Sequence, residues 1–251
     1  MVSRADLEEA ESRVAVVTGA GRGIGLALTR QLLIRGLTVH ATCRHPDQAA
    51  DLKKLIAATG RGSVLALDVA DATSVRAAAA ILDRSATAVD LLINNAGIGA
   101  PAGLHPSTAE GPLAALRADA IAEVIRVNSI GPAIVTQAVA PMLSRARPRA
   151  RVVNVTSDLG SLTTPVMAGG YAYAMSKAAL NMLTRKLAVE LRPQHATVIA
   201  LHPGSVRTRL GGSSAQLSPA DAAHGMLNVL DRITMDDTGR AFTYDGRLLP
   251  W

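Results

Sequence analysis

The feature that most constrains this chain is a repeated alternation of short apolar runs with segments of helical period. Residues 14–17 form a short apolar run that ends in TGAGRGIG (18–25), and helical spacing follows over 26–34. LTVHATCR (37–44), SVLALDV (63–69), VDLLINNAG (89–97), RVVNVTS (151–157) and ATVIALHPG (196–204) read as further strands. Helical segments fall between them: 48–58, DATSVRAAAAILDR (71–84) with an Asp cap and Ser three residues on, about 117–145, and 171–191 ending before Pro193. SPADAAHGMLNVLDRI (218–233) opens with Ser218 at the N-cap and Pro219 in the first turn. Apolar strands interleaved with helices predict an α/β architecture, a parallel sheet doubly wound with helices on both faces. With no linker, repeat or low-complexity block, one domain is expected over residues 13–251, preceded by a mobile leader at 1–12.

Composition removes several function classes. Hydrophobic residues make up 49% and charged residues 18%, which excludes a disordered chain. The 21 Gly and 12 Pro have no period, which excludes a triple helix. Cys43 is the only cysteine, so no disulfide framework forms within the chain, in keeping with a reducing cytoplasm. The charged start MVSRADLEEAESR has no apolar leader core, and the uncharged stretch 127–144 is broken by Asn128, Gly131, Pro132 and Pro141. Neither a secretory leader nor a membrane span is expected. The net charge of +6 invites a nucleic-acid reading, but 2% aromatic residues and the absence of any recognition motif argue against it. The RARPRAR run (145–151) reads as a basic helix end and loop rim.

The strand–turn–helix setting gives TGAGRGIG its meaning. Gly19 permits the tight turn, Gly23 lets a pyrophosphate approach the backbone, and Gly25 lets helix and strand pack closely. Free N–H groups at the helix start then face an anion. A dinucleotide site that prefers NAD places an acid about 20 residues past the glycines, for the ribose 2′-OH. This chain has Cys43 and Arg44 there, and no acid until Asp47. A guanidinium welcomes a 2′-phosphate, and Arg22 inside the turn adds a second one, so NADP(H) is the expected cofactor. Cys43 reads as a small strand-end residue rather than a redox centre.

TGAGRGIG (18–25), Asp68, NNAG (94–97), Asn128, Ser157, YAMSK (173–177) and PGSVRT (203–208) stand in the order of the short-chain dehydrogenase/reductase family. The sequence resembles that family from about residue 13 to its end. NVTSDLGSL, GGYAYAMSKAALNML, HPGSVRT and TYDGRLLPW are similar to its branch of C-factor-like and sniffer-like carbonyl reductases. The resemblance implies a Rossmann-type sheet of about seven strands. It also implies Asp68 and Val69 at the adenine, with Ile24, Asn95, Ala96 and Gly97 along the cofactor. Pro203, Gly204, Val206 and Thr208 fall toward its nicotinamide and pyrophosphate end. Asn95 also braces neighbouring strands, and Lys177 bonds the nicotinamide ribose. Ser157 bonds the substrate oxygen, and Asn128 holds a water linking Lys177 to solvent.

The residues themselves agree on the acid–base pair. Tyr173 and Lys177 are i and i+4 on one helix, so they share a face. A phenol of pKa about 10 needs a nearby ammonium to favour its phenolate. Tyr173 then protonates a carbonyl oxygen, or deprotonates an alcohol in reverse. Tyr171 has only Met175 four residues on and reads as a packing residue. Ser161 is an alternative to Ser157, lying 12 rather than 16 residues before Tyr173; Ser157 is preferred because it directly follows the strand. Asp158 reads as a loop residue and His202 as a structural strand-end histidine.

Two loops, IGAPAGLHPSTAEG (98–111) and RLGGSSAQL (209–217), are expected to line the substrate; the second is short, which suggests an open site. Three functions fit: an NADPH-dependent reductase of a ketone, aldehyde or quinone, a dinucleotide-binding signalling or scaffold protein, and an NAD-dependent alcohol dehydrogenase. The complete Asn128, Ser157, Tyr173 and Lys177 set favours chemistry, and Arg44 argues against NAD. No metal site is expected. The resemblance and the apolar residues Ile130, Ile134, Val135, Val139, Met142, Ala179, Leu180, Met182, Leu183 and Leu187 imply a homodimer, or a tetramer built from it.

Overall fold

The computed structural model describes residues 13–86, 88–100, 113, 116–146, 150–164 and 168–251. The leader at 1–12, most of the first substrate loop and the centre of the RARPRAR run lie outside the described residues.

The strands are β1 (Val14–Val17), β2 (Thr38–Cys43), β3 (Gly62–Ala66), β4 (Leu91–Asn94), β5 (Arg151–Val155), β6 (Thr197–His202) and β7 (Ala241–Thr243). The helices are α1 (Gly23–Ile34), α2 (Ala50–Thr59), α3 (Ala72–Ser85), α4 (Ala118–Ile125), α5 (Gly131–Leu143), α6 (Tyr171–Glu190) and α7 (Pro219–Leu230). All seven strands form one sheet in the order β3-β2-β1-β4-β5-β6-β7. Every neighbouring pair is parallel.

Successive side chains of a strand point to opposite faces, and the core divides accordingly. Val17, Val39, Ala41, Ile93, Val153 and Ile199 meet Leu28 and Leu32 of α1, Leu52 of α2, and Met226 and Leu227 of α7. Val16, Leu92, Val152 and Val198 point the other way, onto Val75 and Leu82 of α3, Val135, Val139 and Met142 of α5, and Ala188 of α6. Burial on both faces explains why these strands read as continuous apolar runs.

The chain winds from β1 outward to β3, then returns to place β4 on the other side of β1. The carboxyl ends of β1 and β4 therefore diverge at a switch point, where an α/β sheet opens its binding crevice. TGAGRGIG leaves β1 there, and NNAG leaves β4.

Two local expectations need correction. The segment 117–145 is not one helix: a π-helical turn at Arg126–Ile130 separates α4 from α5. The third strand ends at Ala66, because Asp68 folds into a turn with its Oδ1 accepting from Ala70 N at 2.9 Å. The Asp cap of α3 is present: the Asp71 carboxylate accepts from Thr73 N, and the Ser74 hydroxyl reaches back to accept from Asp68 N at 2.9 Å. The apolar stretch 127–144 lies in the π-turn and α5. Among the described residues no helix is long and apolar enough to cross a membrane.

Candidate active site

The glycine turn is closely built. Gly19 has φ of +67°, and a Cβ there would lie 2.8 Å from Ala96 Cα. A Cβ on Gly25 would lie 2.4 Å from Gly19 O and 2.6 Å from Asn95 Nδ2, so α1 and the turn tolerate no side chain between them. Asn95 braces this packing by donating from Nδ2 to Thr18 O at 2.9 Å and Gly19 O at 3.2 Å. The Thr18 hydroxyl in turn accepts from Asn95 N and Ala96 N. The α1 N-terminus carries no side-chain cap and no acid in its first turn. Its orphan N–H groups and the positive end of its dipole face the crevice. Ile24 is half-buried against the α1–β1 core.

Arg22 and Arg44 flank this turn as exposed cations with no carboxylate partner among the described residues. Asp47, the first acid after Arg44, lies 4.0 Å from Lys53 instead. Partial burial, then Arg209 and Arg44, push the Arg22 guanidinium below its ordinary range. Uncompensated positive charge beside a bare helix N-terminus fits a phosphate-bearing dinucleotide. Cys43 lies beneath the turn, 3.4 Å from the position a Cβ on Gly21 would take, and burial raises its thiol pKa.

The β4 loop joins the cofactor crevice to a second cluster. A Cβ on Gly97 would lie 3.2 Å from Asn128 Oδ1 and 3.8 Å from Lys177 Nζ. Asn128 sits in the π-turn, where the wider winding aims its side chain inward. Its Oδ1 accepts from Ile98 N at 2.9 Å, and its Nδ2 donates to Ile98 O at 2.8 Å and Ser176 Oγ at 3.0 Å. Ser176, which sequence reasoning passed over, is fully buried and passes this contact on by donating to Tyr173 O at 2.7 Å.

Helix α6 presents the rest. Lys177 Nζ donates to Val155 O at 2.7 Å and stands 5.5 Å from the centroid of the Tyr173 ring. Ser157 lies close enough to the Tyr173 hydroxyl to favour its charged form. A buried net holds α6 against the sheet: Thr156 Oγ1 donates to Asn181 Oδ1 at 2.6 Å, and Asn181 Nδ2 to Gly160 O at 3.0 Å. The Asn94, Asn154 and Thr184 side chains link in series, at 2.9 Å per contact.

The electrostatics depart from the sequence expectation. Burial, reinforced by the Asp158 carboxylate and only partly offset by Ser157, pushes Tyr173 up to about 12. Burial lowers Lys177 to about 8. Without cofactor Tyr173 is therefore a phenol, not a phenolate favoured by its lysine. Asp158 is also more than a loop residue: it accepts from Ser157 Oγ at 2.9 Å and stands 3.9 Å from His202 Nε2. His202 is held neutral chiefly by burial, and its Nδ1 has no partner among the described residues. Ser161 spends its Oγ accepting from Thr163 N and Thr164 N, both at 3.2 Å, in a turn of its own.

The remaining candidates sit around the crevice. The Asp68 carboxylate caps its turn after β3. Val69 is buried against Gly131, which leaves only its main chain for a ligand. Pro203 and Gly204 follow β6. A Cβ on Gly204 would meet Leu217 and the Tyr244 ring within 3 Å. Val206 is buried and pairs with Leu217. The Thr208 methyl would lie 3.3 Å from a Cβ on Gly23. Among the described residues no group of acids, histidines or cysteines could hold a metal ion.

Comparison with known proteins bears on the family and the fold. The short chain dehydrogenase family profile matches residues 13–217. C-signal of Myxococcus xanthus is 42% identical over 163 residues, which are 65% of this chain and 93% of that protein. The NADPH-bound carbonyl reductase from chicken fatty liver is 34% identical with a TM-score of 0.87, covering 95% of this chain and 99% of that one. Carbonyl reductase Sniffer of D. melanogaster is 30% identical with a TM-score of 0.87, covering 96% and 99%.

Proposed function

Because the chain belongs to the short-chain dehydrogenase family, we propose that it is an NADPH-dependent carbonyl reductase, one catalytic domain over residues 13–251. The observation that carries the reading is a buried ammonium beside Gly97 with the Tyr173 phenol close to it and Ser157 at that phenol, in a crevice flanked by arginines that have no carboxylate partner among the described residues. The reduced nicotinamide supplies the hydride when bound. Everything else is work for the chain's own residues.

Reduction of a carbonyl needs an acid that still holds its proton at neutral pH, and Tyr173 at about 12 does. Its hydroxyl donates to the carbonyl oxygen as negative charge develops there. The phenolate that results lies beside the Lys177 ammonium, whose attraction is strong because both are largely shielded from water. Ser157 lies at the phenol, and Asn128, with Nδ2 held by Ile98 O and Ser176 Oγ, keeps a lone pair on the Oδ1 that faces Gly97, suited to hold a water through which the lysine regains contact with solvent. Arg22 and Arg44 favour NADP(H) over NAD(H), and the short 209–217 loop suits a broad or bulky substrate. The substrate is a small-molecule ketone, aldehyde or quinone, and the protein acts in the cytoplasm.

The likeness to C-signal keeps a second reading open, a signalling protein that binds the dinucleotide without turnover. One assay separates the two. Consumption of NADPH is followed by absorbance against a panel of aldehydes, quinones, keto esters and cyclic ketones, for the parent and for Tyr173→Phe. Turnover in the parent and a loss of roughly 10²–10⁴-fold in the variant, with NADPH affinity kept, supports the reductase. Full activity in Tyr173→Phe refutes the mechanism, and NADPH binding without turnover on any substrate favours the signalling reading.

The homodimer is proposed as well. Ile130 is 51% exposed and Met182 57% exposed, on the segments the family pairs between subunits.

A further inference from the structure

The loop leaving β6 does not stay over its own strand. From β6 to β1 is three strand spacings, about 14 Å, yet Thr208 reaches far enough that its methyl would lie 3.3 Å from a Cβ on Gly23. The loop is locked in that crossing. Val206 pairs with Leu217, Gly211 N donates to Thr208 Oγ1 at 3.1 Å, and Gly212 N donates to Thr208 O at 3.0 Å. Arg207 is consumed in holding the loop, its Nη1 donating to Ala215 O at 3.1 Å and Gln216 O at 2.6 Å. Arg209 is not. It is exposed, has no carboxylate partner among the described residues, and follows the residue that touches the glycine turn.

We propose that Arg209 is a cofactor-binding residue, the third guanidinium of an anion site with Arg22 and Arg44, and that it grips a phosphate of the dinucleotide. This moves it from the substrate loop, where the sequence put it, to the phosphate site. It rests on the NADP(H) reading above. Three like charges around one turn repel one another, and the repulsion is felt at Arg22 from both Arg209 and Arg44. Nothing within the described chain offsets it. A phosphate between them does, through charge-assisted hydrogen bonds, and Arg offers a fork that matches its oxygens. Because Arg209 travels with the 203–212 segment, a bound phosphate also holds that segment over the crevice.

The test is isothermal titration of the intact protein with NADPH and with NADH, comparing Arg209→Gln with Arg30→Gln. The latter removes the same charge from an exposed position two turns along α1. Arg209→Gln is expected to weaken binding roughly tenfold or more, with Arg30→Gln near the parent and Arg209→Lys intermediate. A loss confined to NADPH puts the guanidinium on the ribose 2′-phosphate; an equal loss for both puts it on the diphosphate, and either supports the proposal. Unchanged affinity for both dinucleotides, or an equal loss in Arg30→Gln, overturns it and leaves the reductase reading intact. A parent that binds neither dinucleotide refutes the reductase reading itself.

Discussion

Lys177 stores a cost that mutation should release. The residue is 5% exposed, its ammonium donates to Val155 O, and burial lowers its pKa from 10.5 to about 8. At about 1.4 kcal/mol per pH unit, the gap amounts to about 3 kcal/mol of penalty for keeping the charged form folded near neutral pH. Lys177→Met keeps the volume and the packing, removes the charge, and loses a hydrogen bond of about 1 kcal/mol. The variant should therefore be about 2 kcal/mol more stable than the parent near pH 7. The sign of the pH dependence follows from proton counting. Between about 8 and 10.5 the unfolded lysine binds a proton that the folded one has lost, so the parent's stability rises with pH across that window and the variant's advantage fades. Below about 8 both states are charged and the advantage is constant. Urea unfolding followed by circular dichroism, at a series of pH values from neutrality to just below 10, measures both the gap and its slope. The upper bound avoids Tyr173, whose raised value acts in the opposite direction above 10. Turnover should be lost even as stability is gained. A variant less stable than the parent near pH 7, or a gap that does not change with pH, refutes the account of Lys177 as a desolvated cation.

Arg44→Asp should reverse cofactor preference from NADPH toward NADH, because a carboxylate there repels a 2′-phosphate and accepts from a ribose hydroxyl; equal binding of both by the parent would remove the basis for this. Ser157→Ala should lower turnover while Ser161→Ala changes it little, since Ser161 is bound into its own turn; steady-state rates decide, and the opposite ranking would exchange the two serines. Gly25→Ala places a methyl 2.4 Å from Gly19 O and should cost about 1–3 kcal/mol or more, read as a lowered urea midpoint together with weakened dinucleotide binding. A monomeric mass in light scattering at micromolar concentration would count against the dimer.

What could be read in the sequence was local in character. Apolar runs of four to six residues with turn residues between them revealed β1, β2, β4, β5 and β6, since a strand buried on both faces has no polar alternation to hide it. The i, i+4 spacing of Tyr173 and Lys177 revealed their shared face, because a helix sets that relation within one turn. Strand β7 is three residues long and carries too little period to detect. The π-turn that aims Asn128 inward costs one local misread, because winding is decided by what α6 packs against and not by residues 126–130 alone.

The tertiary structure alone decided the rest, and in each case the reason is that a charge responds to its surroundings rather than to its neighbours in sequence. Tyr173 and Lys177 share one face of α6, yet the Tyr173 pKa moves up rather than down, because burial opposes its charged form and Asp158 lies close enough to add to that, while burial lowers Lys177. Asp158 and His202 are 44 residues apart in the chain and 3.9 Å apart in space. Arg209 lies 187 residues beyond Arg22, and only a loop spanning three strand spacings of a parallel sheet brings its charge to bear there.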